Sequence, residues 1–197
     1  MAVHAASESV VAGSGTKLAI RDAATTLFGA KGFEQTSLRE VADAVGITKA
    51  SLYYHYSSKL DLLMAIINPI IDHMRTVSDE LAQIPRDADG IRTVLGDYLR
   101  GLIEHRDVGV LLSRDAVAIL NASANRYPDI LDANRALLAW LAGPDATDEG
   151  KLRAGVAIEI LRVAMVSKDV VPGGSDELVE RVLLDAATTV LSAGEDA

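Results

Sequence analysis

The chain contains 197 residues, and 49% of them are hydrophobic. A chain of this length makes one or two domains, and its hydrophobic content lets it bury a sizeable core, so a disordered protein is excluded. The sequence has no cysteine, which excludes disulfides, thiolate metal sites and a cysteine nucleophile. No apolar run approaches the roughly 18 residues of a membrane span. We therefore expect a soluble, cytoplasmic protein without a membrane partner.

The net charge of −9 is unevenly distributed along the chain. Residues 16–60 carry six Lys or Arg against four Asp or Glu, whereas residues 61–197 carry 13 against 23. The first third is therefore mildly basic and the remainder strongly acidic. Because of this asymmetry, the average charge does not exclude a nucleic-acid partner, although charge alone does not establish one.

Helical periodicity dominates the chain after a short segment at its start. Residues 1–15 have no sustained period and are expected to form a flexible tail. Apolar residues recur at helical spacing from Ile20 onward, and Gly32 ends the first helix. Pro69 falls within a later helix, where its missing amide should kink the backbone near residues 66–68. Further helices are predicted at about 107–122, 128–142, 147–170 and 176–192, which makes an all-α protein of about nine helices.

Residues 36–59 have the pattern of a helix-turn-helix. Ser37 and Glu40 have the spacing of a capping box that opens one helix. Gly46 supplies a tight turn, and a short helix follows over about residues 49–56. A cation, a hydroxyl, a phenol and an imidazole on the outer face of that helix suit the base edges and phosphates of a DNA major groove. These groups belong to Lys49, Ser51, Tyr54 and His55.

Residues 16–63 resemble the DNA-binding domain of the tetracycline-repressor (TetR) family of bacterial transcription regulators. The matching residues are Ile20, Ala23-Ala24, Leu27-Phe28, Lys31-Gly32-Phe33, Thr36-Ser37, Ile47-Thr48-Lys49, Leu52-Tyr53-Tyr54-His55-Tyr56 and Ser58-Lys59. The resemblance covers about a quarter of the chain in detail. It implies a three-helix helix-turn-helix DNA-binding domain at 16–60, followed by a helical effector-binding and dimerisation domain at 61–197.

The resemblance also implies which residues contact DNA. In the family the third helix enters the major groove, so the expected contacts to base edges are Lys49, Ala50, Ser51 and Tyr54. The resemblance implies phosphate contacts from Thr36, Ser37, Tyr53, His55 and Lys59. Arg39 could reach either a base edge or a phosphate, and Thr48 belongs to the same matching motif. Ala50 has no hydrogen-bonding group, so its part in specificity would be a methyl contact with thymine. Alternatively, Lys49 and Lys59 are ordinary solvated lysines, and Tyr53 serves partly in packing.

The carboxy-terminal domain of the family binds a small-molecule effector and forms a homodimer through its last two helices. Those helices match residues 147–170 and 176–192 here, and two-fold symmetry implies a roughly palindromic DNA operator. We expect the effector to tilt the helix that contains Pro69 and so to modulate DNA binding, the alternative being a harmless kink. Repression is the family's usual action.

The identity of the effector is not evident from the sequence. Asp115 and Asn134 interrupt otherwise apolar helical rows, and a buried carboxylate would recognise a cationic or hydrogen-bonding ligand. Alternatively, Asp115 pairs with an arginine or is simply exposed. Four more candidates for the pocket are aromatic, imidazole or thioether side chains that equally suit a core: Tyr98, His105, Trp140 and Met165.

An enzyme is not expected, and no cofactor or metal is predicted. The four histidines show no H-x-x-x-H spacing, the stretch at 13–17 lacks the full phosphate-loop pattern, and no G-x-S-x-G elbow occurs. The remaining alternative is a helical ligand-binding or interaction module that does not bind DNA. Such a module would leave the basic surface of residues 36–59 unexplained, and a salt-dependent shift of duplex DNA separates the two readings.

Overall fold

The computed structural model describes the backbone of residues 2–109, 111 and 128–193, and the side chains of residues 15–109, 111 and 132–193. Every regular element in these ranges is helical, as predicted. The helices are α1 (Ala2–Lys31), α2 (Leu38–Val45), α3 (Lys49–His55), α4 (Lys59–Glu80), α5 (Ala88–Glu104), α6 (Pro128–Ala142), α7 (Asp148–Arg162), α8 (Ser167–Val170) and α9 (Asp176–Ser192). None of the described helices is long and apolar enough to cross a membrane.

The start and end signals predicted around α2 are confirmed. Ser37 caps α2 and forms a reciprocal capping box with Glu40. Gly46 follows α2 with a φ of 73°, a left-handed conformation that is costly for residues with a Cβ. Gly32 ends α1 in a similar conformation, with a φ of 96°. These two glycines set the turns that separate α1 from α2 and α2 from α3.

Two predictions about the helices differ from the structure. A flexible tail was predicted for residues 1–15, but α1 begins at Ala2. The alanine-rich composition of this segment favours a helix even without an apolar stripe. The single helix predicted over 147–170 consists of α7, a 3₁₀ turn at Val163–Val166 and the short α8. Pro69 lies inside α4, as predicted, and the helix extends from Lys59 to Glu80. The helix predicted at 107–122 lies almost entirely outside the described residues.

The described residues form two compact units, and the division between them along α4 falls between Asn68 and Pro69. The first unit contains α1, α2, α3 and the first half of α4. Its core consists of side chains with no exposed surface, and Phe28 packs edge-to-face on Phe33 with ring centroids 5.3 Å apart. The fully buried members include Ile20, Phe28, Val41, Leu52, Leu62 and Leu63.

The second unit contains the second half of α4 and helices α5 to α9. Helix α9 packs on α7 and α5, and α6 packs on α7. The core side chains of α5, α6 and α7 are almost completely buried, namely Leu95, Leu99, Leu102, Leu141, Ile158 and Leu161. Two ion pairs tie α9 to other elements of this unit, Arg92 with Asp185 at 2.8 Å and Arg106 with Asp176.

Candidate nucleic-acid interface

The start of α2 is held by a small polar cluster at the end of α1. The Glu40 carboxylate accepts hydrogen bonds from the Ser37 amide at 2.8 Å and the Ser37 hydroxyl at 2.9 Å. Its other oxygen accepts from Lys31 Nζ at 2.7 Å. These hydrogen bonds lower the pKa of Glu40 to about 2, the bond from Lys31 being the largest cause. Glu40 is therefore ionised at neutral pH and joins the end of α1 to the start of α2.

Thr36 lies in the turn before α2, where the sequence predicts a phosphate contact. The structure places it differently: its side chain is 1% exposed, and its hydroxyl donates to the carbonyl of Gly32 at 2.8 Å. That carbonyl belongs to the last turn of α1, where helical backbone acceptors lack amide partners. The hydroxyl of Thr36 is thus committed within the protein, and Thr36 is a structural residue of the turn.

Lys59, at the start of α4, also contacts this turn. Its Nζ donates to the carbonyl oxygens of Phe33 at 2.9 Å and Glu34 at 3.1 Å. The same ammonium lies 4.5 Å from the centroid of the Phe33 ring, within the range of a cation–π interaction. Lys59 is therefore not an ordinary solvated lysine, and it keeps a positive charge beside the start of α2.

Helix α3 is fixed by contacts at both of its ends and on one face. The Thr48 hydroxyl accepts from the Ser51 amide at 3.1 Å and caps the helix. Leu52 is completely buried, and the buried Tyr56 donates its hydroxyl to the carbonyl of Lys17 at 3.2 Å. Burial raises the pKa of the Tyr56 phenol, so it remains protonated. The inner face of α3 is thereby held on α1, and the opposite face is left to solvent.

The outer face of α3 displays the side chains that the sequence predicts for base contacts. Lys49 and Ala50 are exposed, and Ser51 is half-buried. Tyr54 is 87% exposed, which is unusual for a tyrosine in a small domain. Tyr53 is 45% exposed, with Lys49 Nζ 5.6 Å from its ring centroid. A cation, a methyl group and two phenols therefore project from one short helix.

A groove of about 440 Å³ runs beside this face of α3. It lies between the turn before α2, the start of α2, the helix α3 and the turn before α4. Arg39 is exposed on its rim and makes only a loose ion pair with Asp43, at 3.9 Å. Leu38 is the one apolar residue among the eleven that line the groove. The other ten carry polar side chains: Glu34, Gln35, Thr36, Ser37, Arg39, Lys49, Tyr53, Ser57, Ser58 and Lys59.

A second surface consists of apolar side chains that no described element covers. Leu152 and Val156 lie on one face of α7, and Val163 continues that face; their exposed fractions are 71%, 49% and 39%. On α9, Leu178 and Val182 are 38% and 48% exposed. We call these five residues the apolar stripe. It lies within the two segments for which the sequence predicts dimer contacts.

The residues predicted for an effector pocket lie on several elements of the described part of the chain. Tyr98 is buried in α5, where burial raises the pKa of its phenol and the nearby Arg162 opposes that shift. His105 ends α5, and Met165 lies in the 3₁₀ turn after α7. Asn134 and Trp140 are half-buried on α6. Asp115 lies outside the described residues, and none of the cavities described in the rest of the chain is lined by any of the other five.

Residues 20–66 match the model of the family described as bacterial regulatory proteins, tetR family. These are the residues that build the capped helix-turn-helix and the groove beside it. Residues 20–66 are therefore a DNA-binding domain of the TetR-family type.

Two TetR-family relatives of known name share sequence with this chain. The HTH-type transcriptional repressor KstR2 of Rhodococcus jostii is 26% identical over 149 residues, which are 75% of this chain and 72% of that protein. IcaR of Staphylococcus aureus, a negative transcriptional regulator of the biofilm operon icaADBC, is 40% identical over 58 residues. That match covers 29% of this chain, and the chain spans about a third of IcaR's length, 31%.

The likeness extends over the whole fold in solved structures. The TetR-family regulator PfmR of Thermus thermophilus superposes with a TM-score of 0.69 at 20% identity, over 88% of this chain and 97% of PfmR. The matches of residues 20–66 to the family model and of three quarters of the chain to a transcriptional repressor make this chain a DNA-binding transcriptional regulator. The sequence predicts the exposed face of α3, but it does not predict the hydrogen bond from Lys31 to Glu40. The capping-box spacing indicates only that Glu40 contacts Ser37.

Proposed function

We propose that this TetR-family regulator represses transcription by binding a roughly palindromic operator as a homodimer, and that a small-molecule effector releases or modulates it. The observation that carries the proposal is the outer face of α3, where Lys49, Ala50 and Tyr54 project from a helix whose other face is locked into the core. A helix of seven residues is about 10 Å long and fits a major groove about 12 Å wide.

Each proposed contact has a chemical counterpart on DNA. Lys49 can donate to guanine O6 and N7, and the methyl group of Ala50 can pack on a thymine methyl. The exposed ring of Tyr54 can contact either a base edge or the sugar–phosphate backbone. Around these base-reading residues, phosphate contacts are assigned to groups that line or border the groove. They are Ser37, Arg39, Thr48, Tyr53, His55 and Lys59, and Ser51 is assigned to the base edges with Lys49 and Ala50.

Homodimerisation is supported by the apolar stripe. Exposure of Leu and Val side chains on two neighbouring helices costs free energy in water. A second copy of the chain would bury this apolar stripe at an isologous interface. Small residues border the stripe: Gly155 on α7 has no atom within 4 Å of where its Cβ would lie. The notch at Gly155 would let a partner helix approach closely. Two identical α3 helices would then read two half-sites of a palindrome.

The proposed effector response depends on α4. Pro69 lacks an amide, so the helix loses one hydrogen bond at the point where the two compact units divide. Beyond it, His73 Nε2 lies 2.8 Å from the carbonyl oxygen of Asp97 in α5. The His73 ring also fills the space beside Gly101, where a Cβ would lie 2.1 Å from it. A ligand that shifts α5 would therefore pull on α4, and Pro69 offers a weak point for bending.

The proposal is tested by selecting binding sites from random duplex DNA with the full-length protein at two salt concentrations. The expected result is a palindromic motif whose enrichment weakens as salt rises, because phosphate contacts release counterions. The variant Lys49→Ala/Tyr54→Ala is the matched control, since both residues are exposed and their removal leaves the core intact. It is expected to recover no motif. Absence of any motif with the wild type at both salt concentrations would contradict DNA reading and favour the helical interaction module.

A further inference from the structure

We propose that Glu40 lowers the affinity of this regulator for DNA. Its carboxylate accepts hydrogen bonds from donors at the start of α2, and those donors would otherwise bind a DNA phosphate. The inference rests on the proposed function, since it assumes that the start of α2 lies against the DNA backbone. All of the contacts proposed above increase the affinity for DNA, whereas Glu40 would reduce it.

The donors around Glu40 are those expected to bind a phosphate. Ser37 gives both its amide and its hydroxyl to one carboxylate oxygen, at 2.8 and 2.9 Å, and Lys31 Nζ binds the other at 2.7 Å. Two neutral hydrogen-bond donors and one cation around an anion reproduce the contacts that proteins make to phosphate oxygens. A phosphate oxygen can only accept, so it can bind the Ser37 hydroxyl only if Glu40 gives up that hydrogen bond.

The charge of Glu40 acts in the same direction. The carboxylate neutralises Lys31, and both side chains remain substantially exposed, at 39% and 50%. The pKa of Glu40 is lowered to about 2, so the negative charge persists throughout the physiological pH range. An anion hydrogen-bonded to Ser37, which lines the groove, repels DNA phosphates. At about 6 Å in water, one unit charge changes an ionic affinity by roughly threefold.

A purely structural role for Glu40 predicts a different outcome. The capping box stabilises α2 through hydrogen bonds to Ser37, and glutamine can supply the same acceptor oxygen without the charge. Glu40→Gln therefore separates the cap from the charge. If Glu40 serves only as a cap, this substitution leaves DNA binding unchanged or weakens it slightly.

The test is a titration of fluorescent operator duplex, of the sequence recovered by the selection above, at several salt concentrations between 50 and 200 mM. Glu40→Gln is expected to bind about threefold more tightly at the low-salt end. Its plot of log K against log salt is expected to steepen by up to about one, because Lys31 becomes available to a phosphate. The double variant Glu40→Gln/Lys31→Met restores the original net charge and is expected to return both quantities to wild-type values.

Asp22→Asn is the matched control, since it makes the same charge change on α1, nine residues or about 13 Å before Lys31. It is expected to change the affinity less than Glu40→Gln does. Lys31→Met alone leaves the capping box intact and tests the same charge balance from the opposite side. It is expected to weaken binding about threefold, which keeps the inference testable if Glu40→Gln does not fold.

Two results would overturn the inference while leaving the proposed function standing. One is a wild type that binds its operator and a folded Glu40→Gln variant with the same affinity and salt slope. The other is an equal gain from Asp22→Asn, which would make the effect one of overall charge. A wild type that binds no operator would instead contradict the proposed function itself.

Discussion

Replacing Thr36 by valine separates the two roles that sequence and structure give this residue. The resemblance implies a phosphate contact, whereas the structure buries the side chain and pairs its hydroxyl with the carbonyl of Gly32. Valine has nearly the same shape, so Thr36→Val removes the hydrogen bond without creating a cavity or a clash. The substitution therefore isolates the contribution of the hydroxyl.

The expected loss of stability is up to about 2 kcal/mol. Removing the hydroxyl breaks the hydrogen bond at 2.8 Å and leaves the Gly32 carbonyl without this partner, which costs about 1–3 kcal/mol in all. The extra buried methyl of valine offsets about 0.8 kcal/mol of that cost. In a chain of this size each 1 kcal/mol lowers the melting temperature by about 2–4 °C.

The assay combines thermal unfolding with operator binding measured well below the melting temperature. Thr26→Val is the control, since the Thr26 hydroxyl donates to the carbonyl of Asp22 at 3.0 Å but is exposed. It should change stability by less than about 0.5 kcal/mol. We expect Thr36→Val to be less stable and to bind operator within twofold of the wild type. A variant of unchanged stability with affinity reduced about fivefold would refute the structural role and restore the phosphate contact.

Three other outcomes are expected. Leu152→Asp, in the apolar stripe, should raise the dissociation constant of the homodimer at least tenfold by sedimentation analysis, whereas Ala136→Asp, exposed on α6, should not. The pKa of the Glu40 carboxylate is lowered from 4.5 to about 2, so its ionised form stabilises the folded protein above pH 4.5. This contribution is lost as the pH falls towards 2. The difference in urea midpoint between wild type and Glu40→Gln should therefore disappear over the same pH range. Lys59→Ala should weaken binding to all DNA sequences alike and reduce the slope of log K against log salt by about one. A change in sequence preference would contradict the assignment of Lys59 to a DNA phosphate.

Local signals in the sequence were sufficient for the helix-turn-helix. The capping box of Ser37 and Glu40 and the glycine turn at Gly46 each follow from backbone requirements that only a few residue types meet. The outer face of α3 follows from periodicity, because Leu52 fixes which side is buried. Features of this kind depend on neighbours within four residues, which the sequence supplies directly.

Features that depend on distant neighbours were predicted less well. Thr36 and Lys59 are polar residues beside an expected DNA surface, and nothing in their spacing shows that Gly32, Phe33 and Glu34 would offer them carbonyl oxygens. For the effector pocket, aromatic and polar residues on helical faces do not specify which ones meet in three dimensions.

The central claim is that the outer face of α3 reads a DNA sequence, and the most direct test is the specificity ratio of a recognition-helix variant. Wild type and Lys49→Ala/Tyr54→Ala are titrated against the selected operator and a scrambled duplex of equal length at the same salt concentration. Loss of two base contacts at about 1–3 kcal/mol each should reduce affinity for the operator by about thirtyfold or more, while affinity for the scrambled duplex changes only a few-fold. A folded double variant that keeps the wild-type ratio would show that sequence is read elsewhere on the protein.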